Sequence, residues 1–263
     1  MRLNLQDRFL RSLSPVLLFL VSLIGLVAFG WPLLISSAAT IPADLAPGLT
    51  AIILIVALLV LLTAISSKQL NSKVIALLGL LAALIAAARL LGAHAFGIEP
   101  MWAFIAIAGR ALGPIIGFSA GSLGMASSAL ITGGLGPWLP FQMLAAGWVG
   151  LLAGLLPLPK SKIETPLLAT FGAVAALFVG LLLNLWFWPT AVMGNAALAF
   201  VPGDSIWNNL TKLLAYSLAT SASFDIPRAI MTFVLILLIG GSMLRTLRRI
   251  NRPVEFVLQE KAN

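Results

Sequence analysis

Residues 110–154 read RALGPIIGFSAGSLGMASSALITGGLGPWLPFQMLAAGWVGLLAG, and this stretch decides the fold. It is apolar enough to sit in a membrane, yet it holds ten glycines, three prolines and a single glutamine, Gln142. Small residues recur every four positions, as Ala120, Gly124 and Ser128 and again as Ala146, Gly150 and Gly154. On a helix each set lies on one face and lets a second backbone come close. Thr132–Pro140 between them is rich in glycine, proline and tryptophan, which marks a turn. The stretch therefore predicts two close-packed membrane helices joined by an aromatic loop.

The rest of the chain extends that reading. Of its 263 residues 60% are hydrophobic and 9% charged, against roughly 25% charged in a soluble domain. Further apolar runs cover 15–35, 47–65, 72–91, 100–111, 166–188 and 227–247, beside 114–131 and 140–155. The predicted fold is all-α: a polytopic membrane helical bundle of about eight transmembrane helices. Seven of the runs begin at or beside a proline, which suits a first helical turn, and the eighth follows the capping pair Asn71-Ser72. Residues 100–111 would rise only about 18 Å as a helix, so that helix must start nearer His94 or be broken. Ser37-Ala38-Ala39 after a basic N-terminus fits a signal-peptidase site. The apolar run before it exceeds the usual ~7–15 residues, so a retained helix is expected.

Charge sets the orientation. With the N-terminus inside, thirteen of the sixteen basic residues fall on the inner side, and only Arg89, Lys212 and Arg228 lie outside. The positive-inside rule then places both termini in the cytoplasm. A lipid bilayer explains the basic excess, and no nucleic-acid partner is expected. Six of the seven tryptophans fall near outer helix ends or in outer loops. An aromatic belt would mark both interfaces, so some of these rings are expected to line an outward pocket. Asp204-Ser205 is placed to cap an outer amphipathic helix with Ile206, Trp207, Leu210, Leu213 and Leu214 on one face, as an interfacial helix or a lid.

Several chemistries are excluded. There is no cysteine and one histidine, so thiolate and multi-histidine metal sites are ruled out. No phosphate-binding GxxxxGK[ST] loop is present. No catalytic residue, cofactor or metal is expected. The acidic residues all fall in loops, tails or helix ends, so no carboxylate is expected at the midplane to couple an ion. The polar residues at membrane depth are Arg89, Gln142, Asn184 and Arg228, all toward the outer side. Each has a structural alternative: snorkelling for the arginines, an interhelical hydrogen bond for the amides. Arg110 reads as an inner-loop topology residue, or as buried if its short helix is displaced.

Three segments carry a family resemblance: LLAALIAAARLLGA (80–93), IAGRALGPIIGFSAGSLGM (107–125) and TGGLGPWLPFQMLAAGWVGLLAG (132–154). Together they resemble the substrate-binding (S) components of energy-coupling factor (ECF) vitamin transporters, with the cobalamin type as the nearest subgroup. The resemblance implies a six-helix core over 71–250, preceded by a tail and two extra helices in 1–70 and followed by a cytoplasmic tail in 251–263. It implies a bacterial plasma-membrane protein that is not an enzyme. Its vitamin would bind near the outer surface, beneath the loops at 92–99, 133–139 and 189–223. Its partners would be a transmembrane coupling subunit and two cytoplasmic ATPases. The coupling subunit would dock on Ala82 and Ala86, with Gly79 and Ala83 as the adjacent register. Arg89, Trp102, Trp138, Gln142, Asn184 and Trp188 are the expected ligand contacts, rings to stack on a planar ligand and arginine to hold a carboxylate or phosphate. The chain has Met125-Ala126-Ser127-Ser128 where many members carry an aspartate. The rival reading is a membrane-integral structural or assembly protein without a ligand.

Overall fold

The computed structural model describes residues 5–34, 52, 55, 72–92, 97–191 and 197–250, with side chains in the first stretch for 13–30 and 32–33. Among the described residues all regular secondary structure is helical, in eight helices. They are α1 (Leu5–Leu34), α2 (Ser72–Gly92), α3 (Met101–Leu112), α4 (Pro114–Thr132), α5 (Leu139–Leu155), α6 (Glu164–Ala191), α7 (Ile206–Thr220) and α8 (Ala222–Ile250). α1, α2, α4, α6 and α8 are long and apolar enough to cross a membrane, while α3 and α5 are shorter apolar helices. Of the predicted helix at 47–65 only residues 52 and 55 are described, both of them helical, and His94 lies outside the described residues.

Proline marks helix starts only in part. Pro114 opens α4, Pro140 lies in the first turn of α5, and Pro100 is the N-cap of α3. α1 and α8 begin earlier than their prolines suggest and carry Pro15 and Pro227 inside. A proline removes one backbone donor. Near a polar helix end that loss is less costly, because water or side chains reach the orphaned carbonyl.

The small-residue pattern builds the centre. Gly117 of α4 lies against Gly150 of α5, Gly121 against Ala146, and Gly154 against Gly113 and Pro114. Gly109 of α3 also abuts Gly150, so three backbones meet there and a Cβ at any of them would strike main chain. Overpacking of this kind costs on the order of 1–3 kcal/mol. The Ala120, Gly124, Ser128 face of α4 points elsewhere: Gly124 lies against Ile85 and Ala82 of α2. α4 thus has two small faces, one for each neighbour.

Helix α3 does start at Met101, not near His94. It is short because its two ends are fixed. Pro100 caps it on one side and Gly113, at φ +98°, turns the chain on the other. It need not span alone, since α2, α4, α5, α6 and α8 all pack on it. Ile105 to Ala108 are fully buried. α1 packs on α6, α5 and α4, with the Trp148 indole donating to Ser22 Oγ (2.9 Å) and Phe29 edge-on to Phe141 (5.0 Å).

The outer helix α7 forms as expected, with Ser205 Oγ accepting the Asn208 N–H (3.1 Å). Of its apolar face only Leu213 is turned fully into the protein. Asn209, Leu213 and Tyr216 point inward, and Ile206, Trp207 and Leu214 are exposed. The cause is a polar residue: the Asn209 amide pairs in both directions with the Val201 backbone (3.0 and 2.9 Å), which fixes the helix rotation.

Candidate ligand site at the outer end

At the outer end the C-terminus of α2 meets the N-termini of α3, α5 and α8. Arg89, in the last turn of α2, donates to Ser128 Oγ of α4 (2.9 Å) and to Gln142 Oε1 of α5 (3.1 Å). Two of the expected contacts, Arg89 and Gln142, are thereby brought together across three helices. Ser128 supplies the link that the sequence reading missed.

A second network lies alongside. The Trp102 indole donates to Glu99 Oε2 (2.6 Å), and Arg228 Nε lies 2.9 Å from the same oxygen, as an ion pair without the alignment of a hydrogen bond. Arg228 also pairs with Asp225 Oδ1 (2.8 Å) and sits over the Trp102 ring, 6.0 Å from its centroid. Ser221 Oγ donates to Asp225 Oδ2 (2.6 Å), and the Asn184 amide donates to Ser221 (2.7 Å) and Ser217 (3.0 Å). The chain of contacts thus runs from the α2–α3 loop through α8 and the end of α7 to α6. Gly97 makes it compact. At φ +82° its missing Cβ lets the loop rest on the Phe224 backbone. Two carboxylates face one arginine here, and Glu99 also acts through space on Arg89.

The remaining expected contacts are placed differently. Trp102 is buried, with its ring against Arg228. Trp138 is 43% exposed, donates to Gly134 O (3.2 Å) and stacks on Gly136. Trp188 is fully buried beneath α7, edge-on to Phe200 (5.3 Å), and donates to Leu198 O (2.5 Å). Asn184 bridges α6 to α7. Of the expected docking residues, Ala82 and Ala86 are buried, with Ala82 meeting Gly124 of α4, whereas Gly79 and Ala83 are exposed. Glu99 and Asp225 were legible only as helix-end acids. The signal was the spacing of Glu99 three before Trp102 and Asp225 three before Arg228.

The inner end is built on the opposite principle. Glu164, 5% exposed, accepts from Arg110 Nε (2.6 Å) and from Arg248 Nη1 and Nη2 (2.8 and 2.6 Å). Arg110 also donates to Leu156 O (3.1 Å) and Leu158 O (2.7 Å). This ties α3, the α5–α6 loop, α6 and α8 into one closed triad. Arg110 is thus partly buried, its side chain 10% exposed, which is nearer the second of its two readings. Outside the bundle, Asp204 is held below the usual carboxylate range, chiefly by the Asn208 amide, then by the Ser205 N–H and Lys212.

Five helices long and apolar enough to cross a membrane, packed as one bundle, define a polytopic membrane protein. A family model described as "ECF transporter, substrate-specific component" matches residues 73–240, and the chain belongs to that family. It is a multi-pass protein of the bacterial plasma membrane, and its family is one of transporter subunits, not enzymes. No curated protein and no solved structure matches it. The family match begins at the start of α2, so α1 lies outside it.

Proposed function

We propose that this chain captures a vitamin at its outer end, cobalamin or a related corrinoid or another small aromatic or anionic vitamin. It passes the vitamin inward together with a transmembrane coupling subunit and two cytoplasmic ATPases. The observation that carries this reading is the convergence of Arg89 and Gln142, with Ser128, at the outer end of a substrate-specific component. Trp138, exposed at the head of α5, is the ring available for stacking on a ligand. Trp102, Asn184 and Trp188 act by holding the surrounding helices.

The coupling subunit docks on the open small face of α2, at Gly79 and Ala83. Ala82 and Ala86 contribute from beneath by keeping α2 close to α4. Small residues let helix backbones approach closely in lipid. The test is purification of the full chain in detergent, mass spectrometry of co-purified small molecules, and binding of a vitamin panel that includes cobalamin. One vitamin bound tightly and specifically is expected. Failure of every member to bind or co-purify would favour the ligand-free structural reading. Gly79→Trp with Ala83→Trp is expected to abolish pull-down of the coupling subunit while the variant stays folded. Ala86→Trp is expected to impair the fold itself.

A further inference from the structure

Among the described residues four arginines are partly buried: Arg89, Arg110, Arg228 and Arg248. Three of them touch a carboxylate, Arg110 and Arg248 on Glu164 and Arg228 on Glu99 and Asp225. Arg89 does not. Both of its hydrogen bonds end on neutral oxygens, Ser128 Oγ and Gln142 Oε1. Glu99 acts on it only through space and is already held by Arg228 and Trp102. A shielded charge without a counterion is costly, so its retention needs a reason.

The local donor count supplies one. A guanidinium has five N–H donors, and Arg89 uses two nitrogens on these neighbours. The Gln142 side-chain N–H₂ finds no acceptor among the described residues. Ser128 gives its own proton to Met125 O (2.8 Å), so toward Arg89 it is purely an acceptor. Gln142 also lies in the first turn of α5, where the helix dipole adds positive potential. The cluster therefore presents positive charge and spare donors, with its acceptors spent on Arg89.

We infer that Arg89 and Gln142 form a seat for an anionic group, a carboxylate or phosphate, on the captured molecule, with buried Ser128 positioning Arg89. This rests on the substrate-capture reading and narrows its ligand to molecules carrying such a group. Arg228, neutralised by two carboxylates, plays no part in holding the anion.

Matched pairs that differ only at the charged group, or by loss of the part that carries it, test this. Suitable pairs are biotin and its primary amide, nicotinate and nicotinamide, pantothenate and panthenol, pyridoxal phosphate and pyridoxal, and cobalamin and cobinamide, which lacks the phosphodiester. Their Kd values are measured on the full chain in phosphatidylcholine nanodiscs, for wild type, Arg89→Gln and Arg89→Lys. The anionic member of one pair is expected to bind at least about tenfold tighter than its partner, as a charge-assisted contact requires. Arg89→Gln should erase that preference and Arg89→Lys retain part of it. Adding phosphatidylglycerol distinguishes a headgroup as the source of the anion. The inference is overturned if the binder is the uncharged member, if the preference survives Arg89→Gln, or if only the anionic lipid depends on Arg89 while a vitamin binds without it. If no member binds, the capture reading itself fails.

Discussion

The two ends of the bundle use the same residue types to opposite effect. At the inner end one carboxylate, Glu164, is shared by two arginines and shut away from water. At the outer end two carboxylates serve Arg228, and Arg89 is left on neutral partners. A closed ion cluster fixes helices, whereas unspent charge and spare donors are what a binding site offers. The difference separates latch from seat, though both are made of arginine, acid and helix ends.

The inner triad should be the most sensitive to change. Glu164→Gln leaves Arg110 and Arg248, both partly buried, without a counterion, and breaking such a cluster costs about 3 kcal/mol, the lower end of the range for fully buried pairs. Denaturant unfolding in detergent would show this as a fall in midpoint. Replacing the whole triad by Arg110→Met, Glu164→Leu and Arg248→Met should recover most of the loss, because matched apolar residues are often as stable as a buried ion cluster. A triple variant as unstable as Glu164→Gln would mean that the triad's geometry matters beyond its charges.

At the outer end the effects should be smaller and divided. Arg228→Gln releases Glu99 and Asp225, which are more exposed than Glu164, and should cost about 2 kcal/mol in the same assay. Arg89→Gln should leave unliganded stability close to wild type, within about 0.5 kcal/mol, because it removes a charge that no carboxylate contacts. A loss as large as that from Arg228→Gln would make Arg89 a structural residue and erase the contrast.

Much of this was readable from composition and spacing. Long apolar runs define helices because each needs an apolar surface in lipid, and the four-residue glycine spacing in α5 does form the seam with α4. Helix rotation was less legible. Ala82 and Gly79 lie three residues apart on α2, yet one is buried and one exposed, and in a sequence apolar on all sides no periodicity separates a lipid face from a protein face. The same uniformity hid the burial of Trp188 beneath α7. The acids were missed as partners because a carboxylate at a helix end is usually solvated, and only the folded chain brings Glu99 to Arg228.

The smallest expected effect lies at the exposed head of α7. Asp204 is depressed in the folded state, so its contribution is present above the ordinary aspartate value and lost as pH falls through the lower folded value. Asp204→Asn should remove that low-pH dependence and shift the melting temperature only slightly, as a pH series of thermal melts would show.

On the positive-inside assignment the end with the open arginine faces out and the latched end faces in. The chain has no cysteine, so single cysteines report sidedness without background. Leu135→Cys stands in the exposed α4–α5 loop near Trp138, and Lys160→Cys in the exposed loop near the triad. A membrane-impermeant maleimide applied to intact spheroplasts should label Leu135→Cys at once, and Lys160→Cys only after permeabilisation. Labelling of Lys160→Cys in intact spheroplasts with protection of Leu135→Cys would invert the molecule and place the open arginine on the cytoplasmic side.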